Sequence, residues 1–299
     1  MKTNTLTLII ALIITFQINA QSLNQEVANE GETPFLLGKI NKSGLEGENY
    51  NSWFTKNHED YQPNTELVTA IASDLKTYSI TLFMGTWCGD SKEEVPKLYK
   101  VLEACNFPMG QLTVVAVSRK PDMYKQSPKH EEKGLNIHRV PTVIFYKDGK
   151  EVNRIVEHPI DTFEEDIQNI ITINNYKSNY QIVAEVNNTI EFSGLKGLKK
   201  SKKHILKSFK NELKSMYELN TYAHILFTTN RPNEAIEVLK INTKLFPKEP
   251  KTYINLANKL ARIGKTKKAI RALKKALKLD PKNEKAQKNI EALIAKSKS

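Results

Sequence analysis

The last third of the chain repeats itself every 34 residues. Leu219 maps onto Tyr253, Ala223 onto Ala257, and Leu226 onto Leu260. Ala235 maps onto Ala269, Ile236 onto Ile270, Leu239 onto Leu273, and Pro247 onto Pro281. A unit of this length is one pair of helices that buries its apolar face only against the next pair. The recurring alanines sit where paired helices need close approach, and each proline ends the second helix of its unit. Fewer than three units is marginal for such a stack. Residues 183–215, where Ile205 falls one period before Leu239, are therefore expected to form a degenerate helical unit. Residues 284–295 read as a final, solvated capping helix.

In period and in marker positions this pattern resembles the tetratricopeptide repeat. The resemblance implies stacked helix pairs with a concave face that binds peptides. By position that face would carry Asn220, His224, Phe227, Asn258, Ala261 and Arg262. Of these, Asn220, His224, Asn258 and Arg262 are the candidate partner-binding side chains, able to grip a carboxylate or a peptide backbone. The bland reading makes them ordinary exposed residues.

Charge divides the chain at the same place. Residues 1–176 hold 17 Lys+Arg and 23 Asp+Glu, and residues 177–299 hold 28 and 10. The first part is net −6 and the second net +18, which suggests two bodies with different roles. The basic body attracts acidic partners within a Debye length of about 8 Å. Acidic peptides, an anionic envelope surface and the protein's own acidic part are the candidates. Nucleic acid is not expected, because aromatics do not interleave with the lysines as a single-strand platform requires.

In the acidic part, Ile80–Met84 is a short β-prone run followed by Gly85-Thr86-Trp87-Cys88-Gly89-Asp90-Ser91. Residues 92–104 then carry apolar side chains at helical spacing. Leu112–Val117 reads as a buried strand, and Val140-Pro141-Thr142 opens another. Lys147-Asp148-Gly149-Lys150 is a hairpin turn leading into a partner strand at 151–156. Residues 162–171 close with a helical pattern.

This order, with Trp87-Cys88-Gly89, Pro96 and Val140-Pro141-Thr142, resembles the thioredoxin family over residues 65–172, and secreted bacterial members in particular. The expected architecture is an α/β thioredoxin fold followed by an all-α, tetratricopeptide-like helical-repeat domain. Its boundaries are a signal peptide at 1–20, an N-terminal extension at 21–64, a thioredoxin-like domain at 65–176 and the repeats at 177–299. The resemblance implies Cys88 as nucleophile, with Trp87, Asp90 and Ser91 beside it. Val140, Pro141 and Thr142 would be the segment against which an extended substrate pairs. The physics is independent of the family: unsatisfied N–H groups and the positive dipole end at a helix N-terminus favour a thiolate.

The departures from the family pattern matter as much. Ser91 stands where the second redox cysteine would be, so no local thiol can release a mixed disulfide. Ser91 is left to offer a hydroxyl bond to the sulfur. Asp90 replaces the motif's proline, and its charge opposes a nearby thiolate. Leu82 stands where the family has a buried acid. Cys105 falls at the far end of the same helix, about 25 Å away at 1.5 Å per residue, and reads as a small buried hydrophobe. No cofactor is expected. No metal is expected either, since His138 beside Cys88 makes too few ligands and reads as a surface residue. The loop 119–133 reads as a polar insertion.

The N-terminus reads Met1-Lys2, an apolar core from Leu6 to Ile18, then Asn19-Ala20 and a polar Gln21-Ser22. That is the pattern of a secretory signal peptide cleaved after Ala20, which implies a periplasmic or extracellular protein. Two readings of function follow. One is an exported monothiol exchange protein acting on protein thiols or disulfides, with the repeats as docking module. The other is a non-enzymatic adaptor that only binds clients. The sequence leaves the oligomeric state open.

Overall fold

The computed structural model describes residues 23–28, 31–173, 176–213 and 215–298. The expected signal segment at 1–20 lies outside them. In chain order the elements begin with short strands β1 (Glu26–Val27), β2 (Phe35–Leu36) and β3 (Gly38–Ile40). Helices α1 (Lys42–Leu45), α2 (Asn51–Asp60) and α3 (Thr65–Leu75) follow, then β4 (Ser79–Met84), α4 (Gly89–Ala104) and β5 (Leu112–Ala116). The mixed region closes with β6 (Thr142–Lys147), β7 (Lys150–Val156) and α5 (Phe163–Gln168), which runs on into a π-turn over Asn169–Ile173.

Strands β3 to β7 form one five-stranded sheet in the order β3-β5-β4-β6-β7. β4 and β5 run parallel; the other pairs are antiparallel. Residues 21–64, read from sequence as an extension, thus supply an edge strand of the sheet itself, with Ile40 opposite Val114. The central strands are apolar on both sides because both faces are covered. Leu82, Val114 and Phe145 pack with Phe54 of α2, Ile71 of α3, Leu98 of α4 and Ile167 of α5. Phe83, Val115 and Ile144 face the other way, onto Ile137 and Val140, with Trp87 and Cys88 at the margin.

Pro96 lies inside α4. A proline there has no N–H for the carbonyl four residues back, which is Lys92. Asn57 of α2 supplies the missing donor, its Nδ2 bonding the Lys92 oxygen at 2.9 Å. The amide therefore fixes α2 against the helix that carries the Trp-Cys turn.

The helical region comprises α6 (Gln181–Phe209), α7 (Tyr217–Thr228), α8 (Pro232–Leu245), α9 (Pro250–Arg262), α10 (Thr266–Leu279) and α11 (Glu284–Lys298). The degenerate unit is helical. It is broken at Gly194, whose φ of 61° and ψ of −169° turn the chain between two helical arms. That conformation is nearly confined to glycine. The repeat alanines Ala223, Ala257, Ala235 and Ala269 are all buried in one apolar core running from Ile182 to Ala286. This core shares no buried residue with that of the sheet. Among the described residues, no helix is long and apolar enough to cross a membrane.

Candidate functional site

Cys88 is the N-cap of α4, one position ahead of the first helical turn, with φ −90° and ψ 129°. The turn that holds it is tight. An added Cβ on Gly85 would come within 2.6 Å of the Trp87 indole, so only glycine leaves room for that ring. Trp87 is anchored by its Nε1–H, which donates to the Val117 carbonyl at 2.8 Å. Ser91 is fully buried, and its hydroxyl accepts from the Gly85 N–H at 3.2 Å. The expected Ser91 bond to the sulfur is thus replaced by one that closes the strand-to-helix turn.

The Cys88 sulfur is half-buried and faces the segment before β6. The Val140–Pro141 peptide is cis. The Cys88 Sγ–H donates to the Val140 carbonyl at 3.2 Å, and the exposed Asp90 carboxylate lies 3.9 Å from the same sulfur. The other backbone edges of the segment are also engaged. Glu157 N–H donates to the Pro141 carbonyl at 2.7 Å, and Thr142 Oγ1 donates to the Arg139 carbonyl at 2.7 Å. The Val140 carbonyl accepts from the thiol, which leaves its second lone pair for another donor.

Cys105 is fully buried, and burial pushes its thiol up to about 11. Leu82 is likewise fully buried in the sheet core, where it offers no proton acceptor.

His138 corrects the sequence reading. It is 1% exposed rather than a surface residue, and its ring nitrogens lie against the Asn136 carbonyl and Glu218. Its Nε2 lies 2.9 Å from Glu218 of α7, while Arg139 Nη1 donates to the same carboxylate at 2.7 Å. Arg139 also pairs with Glu157. Burial works against the Glu218 charge, but the bonds from His138 and Arg139 outweigh it and hold the carboxyl below its usual range. Burial lowers His138, with Glu218 opposing. The segment opposite Cys88 is therefore bolted to the first helix of the first clear repeat. Nearby, the Arg154 guanidinium lies 3.9 Å from the centre of the Tyr180 ring.

The insertion 119–133 is not a simple surface loop. Lys125, with a φ of 60°, is buried and donates to the His138 carbonyl. Burial and the nearby Arg139 charge bring it down to about 8, while Cys88 and the surrounding carboxylates act the other way. The Tyr124 ring lies 5.9 Å from Trp87 on one side and 5.6 Å, edge to face, from His224 on the other.

His224 opens onto the concave face of the repeats. There a cavity of about 680 Å³ gathers Asn220, His224, Asn258 and Arg262, the four candidate residues from the sequence, together with Lys259 and Tyr124. Phe227 is not on its wall; it lies beneath the Lys259 and Arg262 charges, 4.5 and 6.0 Å from its ring centre. Lys259 Nζ is 2.9 Å from His224 Nδ1. Burial and the neighbouring Arg262 bring Lys259 down to about 8. Burial and the charges of Lys259, Lys125 and Arg262 bring His224 down to about 4, so its ring is neutral at pH 7.

Tyr124, Lys125, Lys259 and Glu218 escaped the sequence reading. Lys259 was within reach, one position after Asn258. The other three belong to a polar loop and an ordinary helix start, and no local pattern marks them.

The tetratricopeptide repeat family matches the chain over residues 250–283, the α9–α10 pair. No curated protein matches the chain. The C-terminal region thus carries a tetratricopeptide repeat, a unit that mediates contacts between proteins.

Proposed function

We propose that this protein is an exported, thioredoxin-like thiol-disulfide exchange protein that works through the single sulfur of Cys88 and holds its partners on the repeats. The observation that carries this reading is the placement of Cys88. It is a half-exposed helix N-cap facing Pro141, with the only other cysteine buried at the C-cap of the same helix. A half-exposed thiol at a helix start beside the buried cation of Lys125 suits nucleophilic sulfur chemistry. In the reaction, the Cys88 proton goes to solvent and the sulfur attacks a disulfide of the client. One sulfur-sulfur bond forms to Cys88, and the client's own breaks as its second sulfur leaves with the electron pair. With Ser91 beside it rather than a thiol, Cys88 stays attached until an outside thiol resolves it. Isomerisation, removal of a small-thiol adduct and capture of a client all fit this chemistry.

A second reading keeps the binding and drops the chemistry. It is favoured by the Sγ–H bond to the Val140 carbonyl, which ties the sulfur to the segment a client would pair with. In that case the protein is a non-enzymatic adaptor. Incubation with an extract of exported proteins, followed by non-reducing and reducing gels, separates the two. Partners that leave only on reduction, and are absent with Cys88→Ala, support exchange. Partners bound equally by Cys88→Ala and released without reductant support the adaptor.

A further inference from the structure

The groove of the repeats and the Cys88 turn are bridged by one side chain. Tyr124 lines the groove and lies against Trp87, whose neighbour is Cys88. Lys125, the next residue, donates to the His138 carbonyl just before the cis peptide, and its charge helps lower His224 in the groove. Continuity of this kind is specific to the junction between the two regions, since it needs the 119–133 insertion to reach across.

The chemistry of the groove is one-sided. Lys259 and Arg262 point into a cavity whose wall contains asparagines, alanines and leucines but no carboxylate. Among the described residues neither cation has an acidic partner. Lys259 is bonded to the neutral His224 ring and lies over Phe227. Elsewhere in the same region the lysines and arginines that contact carboxylates do so outside this cavity, as Lys240 does with Glu237 and Arg231 with Glu191. Two adjacent cations, one half-buried, left without counter-charge in a concave site are complementary to an anion from outside. Asn258 and Asn220 add amides beside them, each already linked to one neighbouring asparagine.

We infer that the groove and Cys88 form one composite site. It takes a client segment whose carboxylates are held by Lys259 and Arg262 while a cysteine of the same segment, in disulfide form, meets Cys88. This rests on the exchange reading above and adds to it a substrate class: an acidic segment at a fixed spacing from the reacting sulfur. The bond changes are those of the exchange step, with the client's disulfide as oxidant and its departing thiolate as the reduced product.

The test uses the full-length protein and synthetic peptides with one cysteine activated as the 2-pyridyl disulfide. A Gly-Ser spacer of about two to ten residues leads to either Glu-Glu or Gln-Gln at an amidated end. Release of 2-thiopyridone reports the rate. The expected result is an acidic-to-neutral rate ratio of about tenfold at low salt, peaking at one spacer length. That ratio should fall towards one in Lys259→Gln/Arg262→Gln, whose fold is checked by circular dichroism. A Gln-Gln peptide with a free C-terminal carboxylate tells chain-end from side-chain recognition. A ratio near one in the natural protein, a ratio independent of spacer length, or one that survives the double substitution overturns the composite site while leaving exchange intact. Absence of release from every peptide removes the exchange reading and the composite site together.

Discussion

The sheet region and the groove of the helical region treat charge differently. In the sheet region, several buried polar groups are matched from within. Glu164 accepts from Tyr61 and the Asn64 N–H, Asp166 from Tyr176 and two backbone N–H groups, and Arg154 grips Glu151. In the helical region the repeat stack is held by alanines and leucines. Among the described residues Asn242 Oδ1 is buried without a partner, and Lys259 and Arg262 line a cavity whose walls carry no carboxylate. The difference teaches where each region directs its polar chemistry. Matched groups fix the loops and helices around the sheet. The adjacent Lys259 and Arg262 charges leave a surface complementary to an anion from outside the chain. Between them the contact is polar, built on Glu218, His138 and Arg139 rather than on a shared apolar core.

The largest effect should come from the sulfurs themselves. Mass spectrometry after brief treatment of the native protein with an alkylating reagent is expected to find Cys88 modified and Cys105 untouched until denaturant is added. Cys88→Ser should then abolish native labelling altogether. Equal labelling of both cysteines would erase the distinction between a working sulfur and a packed one.

Next in size is the bolt between the regions. Glu218→Ala leaves His138 buried without its carboxylate and removes one of the two carboxylates paired with Arg139. Breaking a buried pair from one side costs about 3 kcal/mol or more. Denaturant unfolding should separate into two transitions, with early proteolysis near residue 176. A single unchanged transition would mean that the regions are held by something other than this cluster.

Acid should act on the same cluster more gently. His138 is lowered in the folded protein, so below about pH 6.5 the opened form binds a proton that the closed form resists. Glu218 is also lowered, so its contribution is full above the usual carboxylate range and is lost as pH falls through its depressed value. Both signs make the docked arrangement weaker in acid. Hydrogen exchange of residues 138–140 and the start of α7 should quicken as pH drops from neutrality, after correction for intrinsic rates. Protection that stays constant to pH 5 would contradict it.

The smallest effect tests a match inside the sheet region. Asn57→Ala strips the donor from the Lys92 carbonyl and should cost about 1–2 kcal/mol by denaturant titration. An effect indistinguishable from zero would show that water replaces the amide at no cost.

Local pattern determined a good deal of this protein. The helix pairs follow from a period of 34 residues, because close helix packing forces small side chains to recur at fixed positions. The strands of 79–84, 112–116 and 142–147 follow from apolar runs bounded by turn residues. Asn220, His224, Asn258 and Arg262 were placed together by the tetratricopeptide resemblance, and one cavity wall carries all four.

What the tertiary structure alone decided lies in contacts between residues far apart in the chain. Gly38–Ile40 joins the sheet through a pairing with β5 that no short-range signal announces. His138 is buried because Glu218, 80 residues away, receives it. Tyr124 links Trp87 to His224 because an insertion happens to span the junction. The sequence carries period and polarity, which are local. Which charged groups find partners, and which remain open for a ligand, depends on distances set only when both cores have formed.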